Sequence, residues 1–112
     1  MKTKSNGLPS KLPPVLKRRV DRIVSAVMEE FGLTEAELFG GDRQPMKCWA
    51  RWLAFKEMRG IGMTNSMISA YAGYDHTTVS YAHKALRECL GQPENHLLRE
   101  MCDNVGNTIK SG

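Results

Sequence analysis

Apolar residues recur along this chain at three- and four-residue steps, the spacing of an amphipathic helix. Leu16, Val20, Ile23, Val24, Val27 and Phe31 form the first stripe, opened by Pro13-Pro14 and closed by Gly32, and predict a helix over about 14–31. Thr34-Glu35-Ala36-Glu37 fits a capping box and starts a short helix over about 35–39, ended by Gly40-Gly41. Pro45 opens a third helix to about Arg59, with Trp49, Ala50, Leu53 and Met58 on one side and Trp52 and Phe55 on adjoining faces. Gly60-Ile61-Gly62 breaks it, and Thr64 caps a fourth helix carrying Met67, Ile68 and Tyr71. Asp75 is the N-cap of a fifth, running to about Leu90. Its Val79, Ala82, Leu86 and Cys89/Leu90 share a face, while His76, Thr77, Ser80, Lys84 and Arg87 fall away from it. Gly91-Gln92-Pro93 stops that helix, and Leu97, Leu98, Met101 and Val105 predict a sixth. No segment alternates as a strand does. The expected architecture is all-α: a flexible basic arm over 1–12, a helical domain of about six helices over 13–106, and a disordered tail over 107–112.

The fourth and fifth helices stand apart because of what joins them. Ala72-Gly73-Tyr74 is a tight turn, Ser69 is small where the helices would cross, and Val79 and Ala82 point back into the crossing. That is the pattern of a helix-turn-helix, whose second helix offers its N-terminal residues to base edges. Here those are Asp75, His76, Thr77 and Thr78. Asp can accept from a cytosine amino group, Thr can meet a base edge or a thymine methyl, and His can donate to purine N7 or O6. An ordinary helix hairpin with a capped second helix has the same spacing.

Charge and composition narrow the picture. With 112 residues, 41% of them hydrophobic, the chain suits a single globular domain with a core of its own. The net charge is +4, and it is uneven. Lys2, Lys4, Lys11, Lys17, Arg18 and Arg19 fill the first twenty positions without an acid. From Thr64 onward Lys84, Arg87, Arg99 and Lys110 face Asp75, Glu88, Glu94, Glu100 and Asp103. A basic front on a near-neutral domain suits a polyanionic partner, or serves as a solvated tail. No apolar run has membrane length, and no secretory h-region follows the first lysines. Cys48, Cys89 and Cys102 form no CxxC pair, which argues against disulfides and structural zinc and for a reducing cytoplasm.

Enzyme chemistry finds little support. His76 and His83 are seven apart rather than the four a helical metal pair prefers, and no Gly-rich phosphate loop is present. The expectation is a non-enzymatic protein without metal or cofactor. Trp49, Trp52 and Phe55 cannot all share one stripe with Leu53, so at least one lies near the surface or against another segment. The Trp49/Trp52 region and the helix over 94–105 are therefore candidate contacts for a protein partner.

Residues 75–82, DHTTVSYA, closely resemble the signature of the C-terminal DNA-binding domain of the DnaA replication initiators, approximately G-R-D-H-T-T-V-x-x-A. Gly73, Asp75, His76, Thr77, Thr78, Val79 and Ala82 match it, and looser similarity covers about 20–90. The resemblance implies a DnaA C-terminal-like (Trp-repressor-like) fold and double-stranded DNA as the partner. It implies that Asp75, His76, Thr77 and Thr78 read bases in the major groove. Ser66, Ser80, Lys84, Lys47 and Arg51 become candidate phosphate contacts, and Arg43, the arginine of the loop before the long helix, the minor-groove candidate. Tyr74 stands where the family has an arginine, the loop is less basic, and no P-loop or ATPase domain is present. The expected role is a sequence-specific transcription regulator of a bacterium, phage or mobile element. The alternatives are an origin-associated DNA-binding factor and, in another class, a protein-interaction module on the same fold.

Overall fold

The computed structural model describes residues 12–111, which form six α-helices and no strand. They are α1 (Pro14–Phe31), α2 (Glu35–Leu38), α3 (Pro45–Gly60), α4 (Asn65–Ala72), α5 (His76–Leu90) and α6 (His96–Ser111), with a 3-10 turn at Pro93–Asn95. Apart from Leu12, the basic arm expected over 1–12 lies outside the described residues.

The boundaries follow from local chemistry. Pro14 and Pro45 sit in the first turns of α1 and α3, where a missing N–H costs nothing. Gly32 ends α1 in the left-handed region (φ 68°) and donates its N–H to Met28 O. The capping box is complete: Glu37 N donates to Thr34 Oγ1 at 3.2 Å, and Thr34 N donates to Glu37 Oε1 at 2.9 Å. That backbone hydrogen bond holds the Glu37 carboxyl below its usual range. Thr64 and Asp75 cap α4 and α5 by accepting from Met67 N (3.1 Å) and Thr78 N (2.9 Å).

α3 is the central strut. It packs on α1, α2, α4 and α5, while α6 closes the other side of α1. Val20, Ile23 and Val27 of α1 meet Leu53, Phe55 and Met58 of α3 in the interior, all 0% exposed. Ile68 of α4 and Val79, Ala82 and Leu86 of α5 complete the same core. The helix-turn-helix therefore packs chiefly on α3, which α1 backs.

One expectation is corrected. The chain over 107–111 is helical rather than a disordered tail, because the α6 stripe does not stop at Val105. Ile109 continues it and packs on the core, and Asn104 Nδ2 donates to Glu30 Oε2 at 3.0 Å, tying α6 to α1. Gly106 lies in mid-helix with open space where a Cβ would stand, so no close approach of another segment requires glycine there. Of the four apolar positions that predict α6, Leu97 is 50% exposed, and Leu98, Met101 and Val105 carry the packing. No described helix is long and apolar enough to cross a membrane.

Candidate nucleic-acid interface

Three residues, Gly73 to Asp75, separate α4 from α5. Gly73 takes φ 79°, a conformation side chains resist, and donates its N–H to Ser69 O. The Ser69 hydroxyl donates to the Tyr74 carbonyl and locks the turn from inside. Ala72 and Ile68 from α4 and Val79 and Ala82 from α5 are buried at the junction, as the sequence pattern requires. The start of α5 is thus fixed in direction, and its outer residues are presented to solvent.

Asp75, His76 and Thr77 are exposed there, and Thr78 is half-buried. The Asp75 carboxyl is held below the usual carboxylate range, chiefly by the Thr78 backbone amide and then by the Thr78 hydroxyl. Capping uses part of the carboxylate's acceptor capacity, and the rest faces solvent. His76 Nε2 lies 3.3 Å from Ser66 Oγ, so the first turns of α4 and α5 are coupled across the surface. Ser80 and Lys84 follow on the exposed side of α5.

A hydrogen-bonded junction behind this surface has no counterpart in the sequence reading. Asn65 Oδ1 accepts from Arg59 Nη1 at 2.8 Å and from His83 Nε2 at 3.2 Å, while Asn65 Nδ2 donates to Ser80 Oγ at 3.2 Å. One amide therefore ties α3, α4 and α5 together. His83, half-buried here, has its pKa pushed below 6.5, first by desolvation and then by Arg59 and Arg87. A polar residue one place after an N-cap is a common surface position, and nothing in its spacing marks Asn65 as a three-helix hub.

The loop before α3 supplies the remaining candidates, and they divide. Arg43 is exposed, and its side chain makes no hydrogen bond or ion pair among the described residues. Asp42 folds the loop back: its Oδ1 accepts from Gln44 N at 3.0 Å and its Oδ2 pairs with Lys47 Nζ at 3.0 Å. The Lys47 bond is the leading cause of the lowered Asp42 pKa. Arg51, expected among surface phosphate contacts, is only 5% exposed. Its Nε donates to Leu38 O (2.9 Å) and its Nη2 to Asp42 O (3.0 Å), so it braces the loop from within. Its guanidinium carbon lies 5.5 Å from the centroid of Tyr74. Tyr74 packs edge-on against Phe55, and its hydroxyl is buried without a hydrogen-bond partner among the described residues.

The tryptophans are placed too. Trp52 packs edge-on against Tyr81 of α5, with centroids 6.1 Å apart, and Tyr81 is 60% exposed. Trp49 is half-buried against the core, and Phe55 is fully buried. Among the described residues, no three His, Cys, Asp or Glu side chains gather as a metal site would need.

Comparison with known proteins points the same way as the geometry. The family described as the bacterial DnaA protein helix-turn-helix matches residues 20–86. The chain is 33% identical over 92 residues to the chromosomal replication initiator protein DnaA of Corynebacterium jeikeium, a match covering 80% of this chain and 15% of that protein. The chain therefore spans only a small part of its relative's length. No solved structure gives a significant match.

Proposed function

Starting from a chain that belongs to the bacterial DnaA helix-turn-helix family, a DNA-binding module, we propose that it binds double-stranded DNA sequence-specifically through the start of α5. One observation carries this reading: the capped, rigidly based N-terminus of α5 presents Asp75, His76 and Thr77 to solvent with Thr78 beside them. These side chains are short, directional and held on a buried platform, as major-groove readout demands. Asp75 both caps the helix and offers acceptor capacity to a cytosine amino group. Thr77 and Thr78 meet a base edge or a thymine methyl, and His76 donates to a purine.

Phosphates bordering the groove are held by Ser66, Ser80 and Lys84, and on the loop side by Lys47. Lys47 can leave its partly exposed pair with Asp42 at small cost, since such pairs contribute only about 0–1 kcal/mol. Arg43 reaches the adjacent minor groove from the loop. The N-terminal lysines add sequence-independent attraction.

A transcription regulator and an origin-associated DNA-binding factor would use this same surface. The relationship to a replication initiator favours the origin-associated role at least as strongly as regulation. A protein-interaction module would instead use the Trp49/Trp52 side or α6.

The test is an NMR titration of the full chain with duplex DNA. Amide shifts concentrated at Ser66 and at 75–81, with α6 unmoved, are expected. A duplex that moves no amide near α5 would overturn the proposal.

A further inference from the structure

A hollow of about 330 Å³ opens between the end of α3 and the second half of α5, lined by Lys56, Arg59, His83, Leu86, Arg87 and Leu90. We propose that it docks an acidic segment of a partner protein, seating one apolar side chain on Leu86 and Leu90 and holding the flanking carboxylates with Lys56, Arg59 and Arg87. None of these six residues belongs to the proposed DNA-reading surface, so this site stands or falls independently of it.

Positive charge converges here with little to offset it. Lys56 has its sequence neighbour Glu57 at 3.8 Å, a loose pair at an exposed position. Arg59 Nη1 donates to the Asn65 amide oxygen, which carries no charge. Arg87 makes no ion pair among the described residues. Both guanidiniums bear on His83, whose pKa is lowered first by desolvation and then by Arg59 and Arg87. Arg59 and Arg87 stand in the last turns of α3 and α5, where a cation offsets the helix dipole. That explains each arginine alone. It does not explain why two helix ends and Lys56 deliver three cations to one hollow. Arginine clusters recognise acidic motifs through charge-assisted hydrogen bonds.

The floor decides between the polyanions that such charge attracts. Leu86 is 2% exposed and Leu90 is half-buried, so the cations stand around an apolar base. A DNA phosphate would use the cations and leave the leucines wet. An acidic peptide with an apolar side chain uses both. The volume is at the small end for a ligand site, with room for one side chain and its flanking groups. Residues 1–11, outside the described region, hold Lys2, Lys4 and Lys11 and no Asp or Glu, so their charge has the wrong sign to fill it. The stretch from His83 to Leu90 begins seven residues past His76, roughly 10 Å along α5, which leaves the first turn of that helix free.

An NMR titration of the full chain with a short peptide of glutamates around one central phenylalanine tests this. Shifts are expected at Lys56, Arg59, His83, Arg87 and Leu90, and not at His76 or Thr77. Alanine in place of the peptide's phenylalanine should weaken binding about tenfold or more, the worth of one buried apolar side chain. Lys56→Glu with Arg87→Glu, both at exposed positions, should keep the circular dichroism of the wild type and abolish binding of the acidic peptide. A peptide with lysines in place of its glutamates should bind that variant and not the wild type. Bound carboxylates should also move the His83 titration to higher pH, because they offset Arg59 of α3 and Arg87 of α5, while Asn65 of α4 carries no charge. A peptide that moves none of these residues overturns the docking site. Equal binding by the alanine peptide overturns it too, since the leucines would then take no part. A duplex that shifts the Lys56 and Arg87 side chains more than the peptide does would assign them to DNA phosphate instead. If the same shifts arise on concentrating the protein alone, a second copy is the occupant and the partner protein falls.

Discussion

Asp75 shows how much one side chain is asked to do at the start of α5. Its carboxylate holds the Thr78 amide at 2.9 Å and still faces solvent. Replacing it with Ala should cost about 1 kcal/mol of stability, read by thermal or denaturant unfolding, as loss of a cap does elsewhere. Asn keeps the cap, so Asp75→Asn should leave stability close to wild type while changing the preferred base. His76→Ala and Thr77→Ala should each cost roughly 1–3 kcal/mol at the cognate site and almost nothing on random duplex, measured by fluorescence anisotropy. Equal losses on both DNAs would contradict base reading. Their exposed placement was legible in the sequence, because Asp75 marks the N-cap and the apolar Val79 and Ala82 fix which side of α5 faces the core. Arg51 was not. Helical spacing puts it on α3, but only the fold of the 38–42 segment shows that two carbonyls turn its guanidinium inward.

Helix boundaries were readable from chemistry that acts within four residues: prolines in first turns, the Thr34–Glu37 box, the Thr64 and Asp75 caps, and Gly73 at positive φ. Gly73→Ala keeps the polar surface but strains the turn, and should destabilise the protein by about 1 kcal/mol or more in chemical denaturation. How the elements lock together was not readable. The Asn65 amide joins α3, α4 and α5 only because the fold brings Arg59, Ser80 and His83 to it. That junction makes a pH prediction. His83 titrates below 6.5 in the folded state, mainly through desolvation. The unfolded chain therefore binds its proton more readily, and stability is lost as pH falls below about 6.5 towards the lower folded value. A thermal midpoint that drops between neutral pH and about pH 5 is expected, and the drop should shrink in His83→Gln, which can still donate to Asn65. An identical drop in both proteins would mean that His83 does not set it.

For the whole molecule, α6 is the least anticipated part. It covers the flank of α1 with Leu98, Met101 and Val105 and extends to Ser111. A stripe interrupted by Gly106 and followed by polar residues reads as an ending, and only packing of Ile109 on the core reveals otherwise. Leu98 is 0% exposed, and Leu98→Ala should cost about 2–5 kcal/mol in denaturant unfolding while a stabilised background keeps its DNA preference. That separation of stability from recognition is expected from the architecture: α6 packs mainly on α1, and α4 and α5 present the proposed reading surface. Charge belongs to this scale as well. Removing residues 1–11, with Lys2, Lys4 and Lys11, should lower affinity for every duplex and flatten its salt dependence.

On the function proposed for it, the start of α5 reads sequence. Selection from a random double-stranded DNA pool at near-physiological salt, with Thr77→Ala run beside the wild type, tests it most directly. An enriched motif is expected for the wild type, altered or lost at one base pair in the variant. A pool that stays unenriched with a folded, full-length protein would contradict it.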